Sequence, residues 1–320
     1  MITKFKFSVG IPAYKSHFLN ECISSILNQS YTQFELIIVN DYSPHPIDEI
    51  VEQFNDSRIR YFKNIKNTGV ENVANNFNNC LEKAQGDFFI LMGDDDKMEP
   101  DYLEEFSKLI LKYTNLDIFH CRSTIIDEDS QPVTLTPSWP EYESVYDNMW
   151  HRMNEIRVQF IADFVFRTSV LKNNGGFYFL PLAWGTDDIT AYIAIGNKGI
   201  AHVNKPILNY RRHPFTISSK ENHELKIKAT MLQQVWFNNF LLVKPNLYVD
   251  LIIYKDLCQN INKLIQKQKI YTITSSLDGH FFKNSIKWLY KRKEFNISVF
   301  EIIYSFIDYF KVKMARKKYN

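Results

Sequence analysis

Three short apolar runs in the first hundred residues each stop at a polar or acidic turn. Phe5–Ile11 ends at Pro12-Ala13-Tyr14, Phe34–Val39 at Asn40-Asp41-Tyr42-Ser43, and Asp87–Met92 at Gly93-Asp94-Asp95-Asp96. Apolar runs of this length, closed by turn residues, read as buried strands. Segments of helical spacing lie between them: Glu21–Leu27, Ile47–Phe54, and Val70–Ala84 with Val73, Phe77 and Leu81 on one face. Ile59–Phe62 is a further short strand. Pro100–Tyr113 is a helix that opens on proline and acids, as helix N-termini do. This βαβα order predicts an α/β fold, a mostly parallel sheet covered by helices. Ligands bind such sheets at the carboxyl ends of the strands, where all three polar turns fall.

The next hundred residues are less regular. Leu116–Thr124 reads as a strand, Thr134–Trp150 as a loop-rich aromatic stretch, and Asn173-Asn174-Gly175-Gly176-Phe177 as a turn. Thr186–Ile195 reads as a helix and Ile207–His213 as a strand. Glu221–Leu242 and Leu251–Gln268 are long helical segments. The expected division is an α/β domain over 1–220 and a helical region over 221–320.

Asp94-Asp95-Asp96 is the sharpest chemical signal. Three carboxylates on one turn repel unless water or a cation meets them. They suit a hard divalent ion such as Mg²⁺ or Mn²⁺, or a solvated turn before a helix N-terminus that favours acids. Asp41 can accept hydrogen bonds from a ligand or close an Asx-turn. Asp187-Asp188 can supply a general base or an N-cap, with Thr186 or Asp187 as the cap. Arg211-Arg212-His213 offers cations for a diphosphate and an imidazole for a metal, or is a solvated strand end.

In this order and spacing, the sequence resembles a family 2 glycosyltransferase with a GT-A nucleotide-sugar-binding fold. Four blocks carry the resemblance: Phe7-Ser8-Val9-Gly10-Ile11-Pro12-Ala13-Tyr14, Phe34 through Ser43, Asn67-Thr68-Gly69-Val70 with Asn75, and Gly93-Asp94-Asp95-Asp96 with Pro100 and Leu103-Glu104. Gly175-Gly176-Phe177 through Asp187-Asp188, and Tyr210-Arg211-Arg212-His213 through Ser218, extend it to about residue 220. The resemblance implies that Pro12, Ala13, Tyr14 and Asn67 line the nucleotide pocket, that Asp41 binds the base, and that Asp94 lies against the ribose or the metal. Asp95 is the implied metal ligand, with Asp96 and His213 beside it and Arg212 toward the diphosphate. The base is Asp188 if the pair aligns with an E-D motif, the preferred alignment, and Asp187 if it aligns with G-E-D. Gly93 and Ala74 depart from the family pattern, where an Asp and an Arg are common.

The implied reaction is metal-assisted, inverting transfer from a nucleotide-sugar, in the first instance a UDP-sugar, to a saccharide or lipid-linked saccharide during surface-polysaccharide assembly. A sugar-phosphate nucleotidyltransferase would want a Gly-rich loop after the first strand, and Pro12-Ala13-Tyr14-Lys15-Ser16 is not one. A degenerate scaffold is the non-enzymatic alternative. The aromatics of Thr134–Trp150 line an acceptor cleft or cover the core.

Charge is divided unevenly along the chain. Residues 279–320 hold ten Lys/Arg against three acids, so a +7 end follows a −5 body within a net +2. Phe295, Val299, Ile302, Ile303, Phe306, Phe310 and Met314 recur there at helical spacing, so the tail can lie on an anionic membrane or pack as a helix. No motif supports nucleic-acid binding. The N-terminus carries no signal-peptide pattern, and no apolar run is long enough to span a membrane. Cys22, Cys80, Cys121 and Cys258 are too far apart in sequence for a CxxC site and read as free thiols. The expected location is the cytoplasm, peripheral at the inner face of the membrane. With 45% hydrophobic and 23% charged residues, the composition excludes a disordered chain.

Overall fold

The computed structural model describes residues 5–214 and 222–319, with side chains through 315. Met1–Lys4, Ser218 and the side chains of Arg316, Lys317 and Lys318 lie outside the described residues. The chain divides into two compact units. The first runs to Phe179 and from Thr186 to Pro214. The second comprises Leu180–Gly185 and the residues from Asn222 onward.

The first unit opens with β1 (Phe7–Ala13), α1 (Leu19–Leu27), β2 (Phe34–Asn40), α2 (Ile47–Val51), β3 (Ile59–Lys63), α3 (Val73–Lys83) and β4 (Phe88–Leu91). It continues through β5 (Lys97–Met98), α4 (Tyr102–Lys112), β6 (Ile118–Ile126), β7 (Pro132–Leu135), β8 (Tyr142–Glu143) and α5 (Val145–Met153). β9 (Phe164–Arg167), α6 (Thr168–Asn173), α7 (Thr186–Ile195) and β10 (Ile200–Arg211) complete it. The strands form one sheet in the order β3-β2-β1-β4-β9-β6-β10-β5, with β7 on β6 and β8 on β10. β3, β2, β1 and β4 are mutually parallel, as is the β6–β10 pair, while β9 runs antiparallel between β4 and β6.

Helices cover both faces of the parallel strands, so β2 is buried at every position and β1 at all but one. This is why those strands read as continuous apolar runs and not as alternating ones. Gly10 allows the close approach of α3 to β1. A Cβ there would lie 2.8 Å from the Phe89 ring and 2.9 Å from the Cys80 Cβ.

The expected aromatic loop is partly regular. Ser144 caps α5 by accepting the Asp147 N–H, and α5 takes up most of the stretch's C-terminal half. Trp139 is buried against His120 and His202, which favours the core-covering role for that residue. All four cysteines are free.

The second unit is helical, with α8 (His223–Phe240), α9 (Tyr248–Ser276), α10 (Phe281–Lys291) and α11 (Val299–Tyr319). Ile227, Ile273, Trp288, Phe295, Ile297 and Ile302 form its core. The Trp288 indole N–H donates to the Ser276 hydroxyl at 2.8 Å. The apolar residues of the tail therefore split between two faces. Ile302 is buried and Phe306 packs against the core, whereas Phe300, Ile303, Tyr304, Ile307, Phe310 and Met314 face solvent. Phe282, Ile286, Leu289 and Tyr290 form a second exposed stripe on α10. Among the described residues no helix is long and apolar enough to cross a membrane.

Candidate active site

The turns after β1, β2 and β4 are neighbours because those three strands are neighbours. Asp94 joins two of them. Its Oδ2 accepts the backbone N–H of Tyr14 at 2.9 Å and of Lys15 at 2.7 Å. The Lys15 ammonium lies between two carboxylates, 3.2 Å from Asp94 Oδ1 and paired with Asp95 Oδ2. His213 Nε2 is 2.8 Å from the same Asp95 oxygen. Burial alone would raise the Asp95 carboxyl, but His213 and Lys15 outweigh it and hold it below its usual range. Burial keeps Asp94 raised despite Lys15. Burial would lower the Lys15 ammonium, and Asp94 and Asp95 hold it high instead.

Asp96 points elsewhere. Its Oδ1 accepts the Arg211 backbone N–H at 2.9 Å, and burial, then Asp95, push its carboxyl well up. Gly93 fits this turn because a Cβ would lie 2.7 Å from Asp96 Oδ2 and 2.9 Å from Asp95 Oδ1. A side chain at this position would push the Asp95 and Asp96 carboxylates aside.

The residues Arg211-Arg212-His213 separate in function. Arg211 is fully buried and donates to the Asp95 carbonyl, the Asp127 and Glu128 carbonyls, the Ser130 hydroxyl and Glu21. Arg212 is exposed. Of the three, His213 is the one whose side chain meets a carboxylate of the acidic turn, while the Arg211 side chain meets the turn's backbone.

Asp41 is buried, and four donors engage its carboxylate: Asn64 Nδ2, Asn67 Nδ2, the Thr68 N–H and the Thr68 hydroxyl, at 2.7–3.1 Å. It shapes the Asn67-Thr68-Gly69 loop. Pro12 and Ala13 close β1 beside it, in register with Val39 and Asn40.

The second acidic pair starts α7. Asp188 accepts two parallel bonds from Arg152, Nε to Oδ1 and Nη2 to Oδ2, both 2.9 Å, and a third from Gln159 at 2.7 Å. Burial, then the Asp188 charge, raises the Asp187 carboxyl to about 7. Thr186 does not cap the helix with its hydroxyl, which donates to the Tyr178 carbonyl. Tyr210 links the two acidic groups electrostatically. Burial, then Asp96, Asp95 and Asp187, holds its phenol above its usual range. Its ring stacks on Phe160 at 3.5 Å.

Lys15, Arg152 and Gln159 escaped the sequence reading. Lys15 carried one signal, its place directly after Tyr14. Arg152 and Gln159 lie 36 and 29 residues from Asp188 and carried none.

The Asp94–Asp95–His213 group offers the donor types of a divalent-cation site, though its ligand atoms do not all lie within 4.8 Å of one another. It presents carboxylate oxygens and one imidazole nitrogen, a set suited to Mn²⁺ or Mg²⁺, and it already holds a positive charge in the Lys15 ammonium. A second group, Glu143, Asp147 and His151, has ligand atoms within 4.8 Å of one another. There Glu143 is tied to Arg157 at 2.6 Å and accepts from Asn148.

The family model described as Glycosyl transferase family 2 matches residues 8–174, just over half of the chain. The chain belongs to glycosyl transferase family 2. This is a family of transferase enzymes, and the family 2 chain has the corresponding GT-A architecture. Its fold matches S. aureus TarS 1-349 in complex with UDP-GlcNAc, with a TM-score of 0.65 at 16% identity, over 98% of this chain and 92% of that one. Glycosyltransferase GlyA of Streptococcus pneumoniae is 32% identical over 116 residues, 35% of this chain and 16% of GlyA. Chondroitin synthase of Pasteurella multocida is 28% identical over 138 residues, 42% of this chain and 14% of the synthase. The family 2 chain thus matches less than a fifth of each of these two relatives' length. The acidic residues described above fall inside the family match except Asp187 and Asp188, and His213 also lies beyond it.

Proposed function

We propose that this chain transfers a sugar from a nucleotide-sugar, in the first instance a UDP-sugar, to a saccharide or lipid-linked saccharide, with inversion, during surface-polysaccharide assembly. The observation that carries this reading is a cation-holding carboxylate pair, Asp94 and Asp95, at the strand ends of a family 2 fold, with a carboxylate poised near neutrality, Asp187, in the same electrostatic neighbourhood. The neighbouring fold of TarS was solved with UDP-GlcNAc, and a chondroitin synthase is among the relatives. The first supports a nucleotide-sugar donor and the second a polymer product.

In this reading Pro12, Ala13, Tyr14 and the Asn67 loop line the nucleotide pocket, and Asp41 acts by holding that loop. Asp94 and Asp95, with His213, hold Mn²⁺ or Mg²⁺, which when bound neutralises charge on the departing diphosphate. Asp96 secures the turn to β10, and Arg212 is free to approach the diphosphate.

Asp187 is favoured over Asp188 as the base. Three N–H donors from two side chains engage Asp188, so little of it is left for an acceptor hydroxyl. Asp187 takes the acceptor O–H proton as that oxygen bonds to the anomeric carbon. The bond from that carbon to the diphosphate oxygen breaks, and its electron pair leaves with the nucleoside diphosphate. Attack opposite the leaving group inverts the centre. A general base near pH 7 is well matched to this work.

The exposed apolar stripes of α10 and α11, together with the basic end, support a second part of the proposal: the helical region rests on the inner face of an anionic membrane. Two measurements test the reading. Mn²⁺-dependent turnover across a nucleotide-sugar panel should fall at least a hundredfold in both Asp95→Asn and Asp187→Asn, and unchanged rates would refute the site. Loss of flotation with anionic liposomes on truncation after Asp278 tests the membrane contact, and equal flotation would refute it.

A further inference from the structure

The helical unit contains an open hollow of about 800 Å³, lined by α8, α9 and the turn between α10 and α11. Its volume is in the range of small-molecule and cofactor sites. Lys263, Lys269, Arg292 and Lys293 line it, against a single acid, Glu301. That acid is already engaged, because its Oε2 accepts both the N–H and the hydroxyl of Ser298 at 2.6 Å.

Lys269 is the unusual member. It is only 4% exposed, and its ammonium makes one long bond, 3.3 Å to the Asn296 carbonyl. Among the described residues no carboxylate pairs with it. Burial lowers its affinity for a proton. A buried ammonium with unfilled donors is costly, and the one acid whose charge favours it, Glu301, is already held by Ser298. An anion in the hollow relieves that cost.

The rest of the lining narrows the ligand class. Amide side chains dominate it, with Gln234 donating to Asn262 at 3.0 Å and Gln259 and Gln266 nearby. Amides pair with hydroxyls as both donor and acceptor. Ile265 and Ile297 are the apolar lining residues, too little surface for an acyl chain. A lipid surface has the exposed stripes of α10 and α11 instead.

We propose that this hollow binds an anionic glycan, with an acidic group of the chain on Lys269 and its hydroxyls on the surrounding amides. The ligand class rests on the transferase reading given above, since a glycan-building enzyme meets such chains. The site would be additional to the donor pocket.

The test is calorimetric titration of the full chain with a dextran sulfate oligosaccharide. Neutral dextran of the same length, inorganic phosphate and phosphatidylglycerol vesicles are the comparators. The sulfated oligosaccharide should bind at least tenfold more tightly than neutral dextran or phosphate. Lys269→Met, which removes a buried charge and so should fold, should weaken that binding at least tenfold. Arg292→Ala/Lys293→Ala should weaken it less.

Equal binding by wild type and Lys269→Met overturns the proposal, as does neutral dextran or phosphate matching the sulfated chain. A loss in Lys269→Met confined to the vesicles overturns it in favour of a lipid headgroup. The readout needs no donor turnover, so the two readings fail separately. Sulfated-chain binding through Lys269 without turnover would sink only the transferase reading, and turnover with a silent Lys269 would sink only this one.

Discussion

Asp187→Asn should make the protein more stable and inactive at once, and the gain should depend on pH. Burial and Asp188 raise the Asp187 carboxyl from 3.8 to about 7. At pH 4 the folded protein keeps this group protonated, and ionising it has little bearing on stability. Between pH 4 and 7 the unfolded chain releases the proton and the folded chain does not, so wild-type stability falls as pH rises. Above pH 7 the cost is complete. The two proton affinities set a ceiling of about 4 kcal/mol. Relaxation of the site to half that value leaves ~2 kcal/mol, or roughly 4–8 °C in melting temperature for a domain of this size. Asparagine has nearly the same shape and no charge, so it escapes the cost. Thermal melts of both proteins at pH 4.5 and 8 should give near-equal midpoints at the lower pH and a higher midpoint for the variant at the upper. The wild-type kcat/KM should rise with pH through about 7 as the base ionises. A pH-independent difference, or a less stable variant at pH 8, would refute the assignment of a raised proton affinity to Asp187.

The remaining expectations concern the groups around it. Lys15→Met should lose about 3 kcal/mol of stability in chelator, because two carboxylates lose their internal cation. Mn²⁺ at a hundred times its Kd should restore ~2.7 kcal/mol, and melts with and without metal check both numbers. The same variant should bind Mn²⁺ more tightly by calorimetry, since no ammonium has to be displaced. Gly93→Ala should weaken Mn²⁺ binding about tenfold by pushing the Asp95 and Asp96 carboxylates aside, a loss of about 1.4 kcal/mol, and should leave the circular dichroism unchanged. Arg152→Met should cost about 3 kcal/mol by leaving Asp188 without its bidentate partner, and Arg152→Met/Asp188→Asn should recover part of it in denaturant melts.

Legibility in the sequence followed the range of the interaction. β1, β2 and β4 were readable because a strand buried on both faces writes a continuous apolar run, and α7 because Thr186-Asp187-Asp188 begins a helical pattern. The acidic turn was readable because its three carboxylates are adjacent. The division of work within it was not. Asp94 is distinguished from Asp96 by Tyr14 and Lys15 on one side and by Arg211 on the other, residues more than 75 positions away. The two members of the Asp187-Asp188 pair look alike locally, and Arg152 separates them from another helix. The tail shows the same limit. Its helical periodicity was clear, but which apolar residues meet the core and which meet solvent depends on α9.

Arg211 has a bearing on the order in which this site comes into being. A single guanidinium, with the backbone beside it, reaches Glu21, the carbonyl of Asp95, the Asp96 carboxylate and the 127–130 loop, and the contact to Glu21 closes a separation of 190 residues. Contacts that distant form slowly because the chain between them must first be ordered. On a growing chain, the acidic turn is made long before the strand that fixes it. Until β10 docks alongside β6, the three carboxylates have neither the Arg211 clamp nor the His213 ring, so an unfinished chain lacks two of the groups that the proposed cation site would draw on.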